Sequence, residues 1–317
     1  MIITFLCSAI RLGMSLLFGC TGEIITEKAG HLNLGIPGVM CVGAACGCVA
    51  EAMYYVSVNG RIAPLPAVLI PVLATFLGGA LMGLIYSFLT VTLRANQNVT
   101  GLVLTTLGVG VSDYMMTQVK TFQYSRASKF FTFSLPFSKD LGWFGELFFS
   151  YGIMVYLAII VALLTSFVLF KTRLGLHLRA VGENPATADA AGINISLYRY
   201  GATCIGCGIA GLGGITFIMD YLNGNWEYVI DSIGWLAVAL VIFAMWRPNV
   251  AILCSVIFGA FYVASSYIPG ITLASKELFK MLPYIVTTIV IIVISIRDKK
   301  ENQPPAALGL SYFREER

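Results

Sequence analysis

The chain has 317 residues, 58% of them hydrophobic and only 11% charged, with a mean hydropathy of +0.84 and a formal net charge of +4. Soluble domains carry about 25% charged residues, and several apolar runs here approach the roughly 20 residues that cross a bilayer. These values exclude a soluble globular domain and make the small positive charge a matter of membrane topology, not of nucleic-acid binding.

The expected fold is all-α: a polytopic transmembrane helix bundle, a single domain over 1–317. About nine spans are read, at about 2–20, 32–56, 64–93, 99–118, 149–170, 200–222, 232–246, 250–267 and 278–296. The first run ends in LFGC, like a lipoprotein cleavage box. It lacks a basic leader and contains Arg11, so it is read as a membrane helix.

Residues 22–38, GEIITEKAGHLNLGIPG, separate the first two runs. Gly30, Gly35, Pro37 and Gly38 disturb the start of the second helix. Broken backbone at membrane depth needs protein or a water-filled cavity to satisfy it, and discontinuous helices often line solute sites. Asn33 and Gly35 are therefore candidates for the substrate pathway. The alternative is a loop followed by a helix start capped by Asn33. Glu23 and Glu27 lie four apart, with no histidine–nucleophile pair to make them catalytic. Lys28 and His31 are expected to neutralise them at the interface.

In 94–110, RANQNVTGLVLTTLGVG, Asn98 and Thr100 begin the fourth span and are candidates to face a cavity; the alternative is capping and headgroup contact. The 119–148 loop carries Phe122, Tyr124, Phe130, Phe131, Phe133, Phe137, Trp143 and Phe144. It reads either as a docking or interfacial segment or as an ordinary aromatic belt.

Residues 171–199, KTRLGLHLRAVGENPATADAAGINISLYR, form a polar, basic island between apolar runs. Asn184 suits a helix cap, Pro185 the first helical position and Gly192 the stop. The alanine-rich helix between them is marginal alone, and its side chains are too small to hold it from within. It reads as a peg for another protein's groove. A helix lying on the headgroups would carry large apolar anchors, which Pro185–Ala191 lacks.

Ala202, Gly206, Ala210 and Gly214 recur every four residues, as do Gly43/Gly47 and Gly79/Gly83, a pattern of close helix packing. The eight cysteines, including Cys204 and Cys207, read as small packing residues. Arg247-Pro248-Asn249 is read as a tight hairpin. Membrane-embedded ionisable residues are few: Arg11, Glu51, Asp113 and Asp220, most of them near span ends, and that scarcity counts modestly against an ion-coupled secondary carrier. No phosphate-binding loop occurs, no catalytic constellation is found, and no cofactor or metal site is expected on this chain.

With the C-terminus inside, the inner segments hold twelve of the 20 lysines and arginines and the outer ones seven, Arg11 being within the first span. That bias favours a cytoplasmic C-terminus. The charged tail, about 298–317 with Pro304-Pro305, is expected to be mobile.

Three stretches carry a resemblance: GEIITEKAGHLNLGIPGVMCVGA, RANQNVTGLVLTTLGVG and LRAVGENPATADAAGINISLYR. They resemble the permease subunits of ABC importers for nucleosides and simple sugars, a ribose-type, branched-chain amino acid-like family, and the nucleoside branch most of all. GWLAVALVIFAMWRPNVAILCSVIFGA is similar to the family's penultimate hairpin, with Ala244 where that pattern has glycine. The chain starts at the first matching helix, which favours nine spans over ten.

The resemblance implies a type II importer-like bundle in the bacterial plasma membrane that forms half of a translocation pathway. Residues 182–192 become a coupling helix, with Gly182, Glu183, Asn184, Pro185, Ala188, Ala191 and Gly192 matching its pattern. It implies a second permease subunit, usually a paralogue, and an extracytoplasmic solute-binding lipoprotein. It also implies a cytoplasmic ABC ATPase, duplicated in one chain, that binds the ATP and Mg. The solute would be a nucleoside, with riboflavin or a simple sugar as alternatives.

Overall fold

The structure, a computed structural model, describes residues 2–134, 142–227, 230–268, 270, 272–297 and 303–313. In chain order the helices are α1 (Ile2–Lys28), α2 (Ile36–Ser57), α3 (Pro64–Ser87, continued by a π-helical turn, Phe88–Thr92) and α4 (Gln97–Thr117). Three short helices follow: α5 (Thr121–Tyr124), α6 (Ser128–Phe131) and α7 (Gly142–Phe149). Then come α8 (Ile153–Lys171), α9 (Arg173–Glu183), α10 (Pro185–Ala190) and α11 (Ile195–Thr216, with a π turn at Phe217–Tyr221). The last are α12 (Ile230–Phe243), α13 (Pro248–Tyr267), α14 (Leu273–Lys280) and α15 (Leu282–Arg297). Among the described residues there is no strand.

Among the described residues, seven helices are long and apolar enough to cross a membrane: α1, α2, α3, α4, α8, α11 and α13. The segments read as the other two crossings hold shorter apolar helices, Ile230–Phe243 and Leu278–Ile292. The 14 residues of α12 rise about 21 Å, less than the roughly 30 Å hydrocarbon core. It is short because Ala244–Trp246, assigned from sequence to the span, form a turn in which Met245 and Trp246 take positive φ of 53° and 54°. The first span is longer than read: residues 21–28 continue α1 and are mostly buried.

Helices α1, α2 and α11 form the centre, and α11 packs on α1, α2 and α3. Small residues allow this closeness. A methyl at Gly43 would sit 2.7 Å from Gly211 Cα, and one at Gly83 2.7 Å from the Thr203 carbonyl. Gly22 and Gly206 are in similar contact. The four-residue ridge on α11 is thus a packing surface, as read. The adjoining face of α11, about 100° round the axis, with Thr203, Cys207 and Gly211, is also closely packed, against α3 and α2. Outside this centre, Leu65, Leu69, Leu73, Leu77 and Leu81 form an exposed leucine stripe along α3. In a bilayer such a stripe faces lipid chains and needs no protein cover.

The bundle has two ends. One carries residues 29–35, 93–96, 171–194, 244–247 and 303–313; the other carries the loop after α4 and the α11–α12 and α13–α14 links. The aromatic loop holds α5, α6 and α7, with Tyr124 and Phe131 buried; its Phe137 lies outside the described residues.

Candidate functional site

The end that carries the polar island has three parts: an elbow between α1 and α2, the α9–α10 projection, and the C-terminal segment 303–313.

The elbow, residues 29–35, is irregular backbone inside the bundle, and side chains from three helices, α1, α3 and α4, satisfy it. Asn33 N donates to Glu23 Oε1 (3.1 Å) and Leu32 N to Gln97 Oε1 (2.8 Å). Tyr86 Oη donates to Leu32 O (2.7 Å) and Thr105 Oγ1 to Leu34 O (2.8 Å). Asn33 spends its amide locally: Oδ1 accepts from Gly35 N (2.9 Å) and Nδ2 donates to Cys207 Sγ (3.3 Å). Gly35 is in close contact with Gly101. Buried backbone polar groups must be paired, and here protein side chains pair those of Leu32, Asn33, Leu34 and Gly35. His31 Nδ1 lies 3.0 Å from Thr203 Oγ1, and burial, with the Arg199 guanidinium nearby, pushes its pKa well below the ordinary value.

Three sequence expectations change here. Asn98 is exposed on α4, and its neighbour Gln97 takes the inward position. Thr100 is buried. Glu23 and Glu27 are fully buried acceptors, not interfacial charges neutralised by Lys28 and His31: Glu27 Oε2 accepts from the Trp246 indole, Glu23 Oε1 from Asn33 N. The positive-φ turn is what brings that indole round.

In the projection, α9 was missed from sequence, because its leucines Leu174 and Leu176 are exposed and give no core-facing stripe. Thr172 caps α9 through Gly175 N (3.2 Å). The helix ends at Asn184, whose Oδ1 accepts from Thr187 N (3.0 Å) and so caps α10, with Pro185 next. Gly192, at φ +82°, closes it. Ala188 points inward and packs with Val181 and Ile195 in a small separate core flanked by Tyr198 and Tyr312. The projection is therefore held from within, contrary to the expectation from its small side chains. Gly182 also faces inward, where a Cβ would collide with the Lys28 carbonyl and the Gly30 amide. Glu183, Asn184, Ala186, Thr187, Ala190, Ala191 and Gly192 are exposed.

The C-terminal segment closes the site. Its expected mobility does not describe 303–313, which form a strap; 298–302 and 314–317 lie outside the described residues. Ala307 N donates to Gly182 O (3.0 Å), Ala306 N to Glu183 Oε2 (3.2 Å) and Gly309 N to Gly30 O (3.2 Å). Tyr312 Oη donates to Asp189 Oδ2 (2.8 Å), and Arg199 Nη2 to Leu310 O (3.3 Å). One strap thus touches the projection and the elbow together.

Away from this end, α4 carries a seam on its exposed side made of Asn98, Leu102, Thr106 and Gly110 at four-residue spacing, two of them polar. Asp113 follows, near enough to Asp231 of α12 for the two carboxylates to interact. Sequence reading named Asp113 but not Asp231. Among the described residues no group of three or more His, Cys, Asp or Glu side chains is placed to hold a metal.

The described residues thus form an all-helical bundle with a short capped helix held at one end. The family described as "Branched-chain amino acid transport system / permease component" matches residues 5–293. The chain belongs to this family. The permease is 32% identical over 305 residues to the nucleoside ABC transporter permease protein NupC of Lactococcus lactis subsp. cremoris, covering 94% of this chain and 93% of that protein. It is 31% identical to the putative glucose ABC transporter permease protein TsgC13 of Haloferax volcanii, covering 95% and 94%. It is 30% identical to the guanosine ABC transporter permease protein NupQ of Bacillus subtilis, covering 86% of each. This chain is thus the multi-pass membrane permease of an ABC importer and not an enzyme; ATP hydrolysis lies on a separate subunit.

Proposed function

We propose that the permease imports a nucleoside across a bacterial plasma membrane, with the α10 end cytoplasmic and nine crossings in all, the two shorter helices included. The similarity to the NupC and NupQ permeases supports the solute class. The similarity to TsgC13 favours a simple sugar as the second reading. The cytoplasmic assignment rests on the excess of lysine and arginine in the segments at that end.

The observation that carries the coupling role is the fixed projection. Residues 182–192 act as the coupling helix: Glu183, Asn184, Pro185, Ala191 and Gly192 lie on or beside its outer surface, and Gly182 and Ala188 seat it on the bundle. A cytoplasmic ATPase, duplicated in one chain and holding ATP and Mg, grips the outer surface. Small exposed side chains let two backbones approach closely, and the strap and small core transmit the displacement to α1 and α11.

The pathway forms between this permease and a second, paralogous one, fed by an extracytoplasmic binding lipoprotein. A pathway between two subunits lies on an outer face of each. The exposed Asn98 and Thr106, with the half-buried Asp113 and Asp231 beside them, suit such a face. Asn33, Gly35 and Thr100 bear on the pathway from behind, as the elbow that sets the spacing of α1, α2 and α4.

The test is uptake by vesicles containing both permeases, the ATPase and the lipoprotein, loaded with ATP. Saturable nucleoside accumulation is expected, and accumulation driven by an ion gradient without the ATPase would refute the reading. Cysteines placed at Ala186 or Ala191 are expected to cross-link to the ATPase, and failure of both would remove the coupling role.

A further inference from the structure

A groove of about 830 Å³ opens between α8 and α13 at the α10 end. Its floor and rim differ in chemistry. Lys28, Lys171, Arg179 and Arg247 stand at the rim with a single carboxylate, Glu183. Below them Leu163, Phe167 and Val250 line the walls, and these three are 50%, 59% and 37% exposed. Lys28 and Lys171 end their spans and Arg247 immediately precedes one, so the cations share one level. From Lys171 down to Leu163 is eight residues of α8, about 12 Å.

Arg179 is the sharpest feature. Its guanidinium lies 5.2 Å from the centre of the Phe170 ring, and its Nε is buried with no hydrogen-bond partner. A buried guanidinium donor left unmatched is costly unless an acceptor arrives. Phosphate is the natural one, since the fork of N–H groups suits its oxygens.

We propose that this groove binds an anionic phospholipid of the adjoining leaflet, its phosphate among Arg179, Lys171, Lys28 and Arg247 and an acyl chain along Phe167, Leu163 and Val250. Two features select lipid over a free phosphate. The walls are apolar well below the cations, and they continue into the exposed faces of α8 and α13, including Leu164 and Leu253. Basic pockets between transmembrane helices at the membrane surface bind anionic headgroups in this manner. The neighbouring α9 adds the exposed Leu174 and Leu176 at the same level, as an interfacial helix does.

The test is native mass spectrometry of the assembled transporter in mild detergent, titrated with dioleoyl-phosphatidylglycerol or dioleoyl-phosphatidylcholine. A retained phosphatidylglycerol adduct is expected in preference to phosphatidylcholine, and equal retention of the two overturns the proposal. Each basic residue near an anionic lipid surface is worth about fivefold, so Lys171→Gln with Arg179→Gln is expected to lower that preference on the order of 25-fold. The charge-retaining pair Lys171→Arg with Arg179→Lys is expected to keep most of it. Leu163→Asn with Phe167→Asn leaves every cation in place and is expected to lose the lipid. Undiminished adducts in that variant, or displacement of the lipid by inorganic phosphate alone, would show an anion site without a chain groove and overturn the assignment. So would a Gln variant that keeps its phosphatidylglycerol and sheds the ATPase, because the rim would then be a subunit contact.

Discussion

The strap makes a sharp prediction at Tyr312. Replacing it with Phe removes one oxygen and leaves the ring in the small core of Val181, Ala188 and Ile195. The bond lost is Tyr312 Oη to Asp189 Oδ2, 2.8 Å long and only part-buried. Hydrogen bonds to charged groups contribute about 1.5–3 kcal/mol, and partial exposure brings this one toward the lower end, about 1.5 kcal/mol. The strap makes five other hydrogen bonds, to the projection, the elbow, Gln97 and Arg199, so Tyr312→Phe shifts its docked-to-free ratio about tenfold without releasing it altogether. Uptake per ATP hydrolysed by the reconstituted importer is the readout. It is expected to fall, while ATP hydrolysis itself persists, because the ATPase still grips α10 but the displacement reaches the elbow less completely. A cycle with Asp189→Asn isolates the pair, and a coupling energy near 1 kcal/mol is expected. An unchanged ratio in Tyr312→Phe together with additive single effects would refute a strap that transmits force.

Gly182→Leu is expected to lower the thermal stability and membrane yield of the permease, because the side chain has to enter the space of the Lys28 carbonyl and Gly30; detergent melting of the purified chain checks this. Ala191→Arg, on the exposed side, is expected to leave melting unchanged and abolish ATP-dependent uptake. Trp246→Phe leaves the Glu27 carboxylate buried without its indole donor, which costs about 1.5–3 kcal/mol and is expected to appear as a lowered melting temperature. Asp231→Asn is expected to raise the KM for nucleoside uptake with little change in melting; wild-type kinetics would remove the α4–α12 seam from the pathway.

What was legible in the sequence follows from what leaves a local mark. Helix caps do: Asn184, Pro185 and Gly192 announce α10 because capping and a left-handed stop are properties of single residues. Small-residue spacing does as well, and it found one packed face of α11. The elbow was located from its glycines and its polar residues, but their roles were not. Adjacent helical positions lie about 100° apart around the axis, so the choice between Gln97 and Asn98 is made by tertiary packing alone. Glu23 and Glu27 find their donors at Asn33 and Trp246, one of them across 219 residues of chain. The strap was hidden for a related reason. Three of its six bonds use its own backbone N–H groups and two more its Leu310 carbonyl, and backbone groups have no sequence signature, whereas prolines and charges signal disorder.

The two faces of the projection answer different demands. A coupling helix has to be gripped, which favours the small outer residues Ala186, Thr187, Ala190 and Ala191. It also has to move as one body with the bundle, which small residues alone do not secure, because a free helix of six residues is far below the length at which helices persist in water. Ala188 and Ile195 bind it to the start of α11, Gly182 seats it against the end of α1, and the strap spans both. Since α11 packs on α1, α2 and α3 at once, a push on α10 arrives at a helix that touches the whole centre of the bundle. Close glycine contacts there leave little slack to absorb it. Ala188→Gly therefore separates holding from gripping: it thins the inner contact and leaves the outer face intact. The expected result is normal ATPase recruitment with poorer uptake per ATP, and normal coupling in that variant would place the transmission elsewhere.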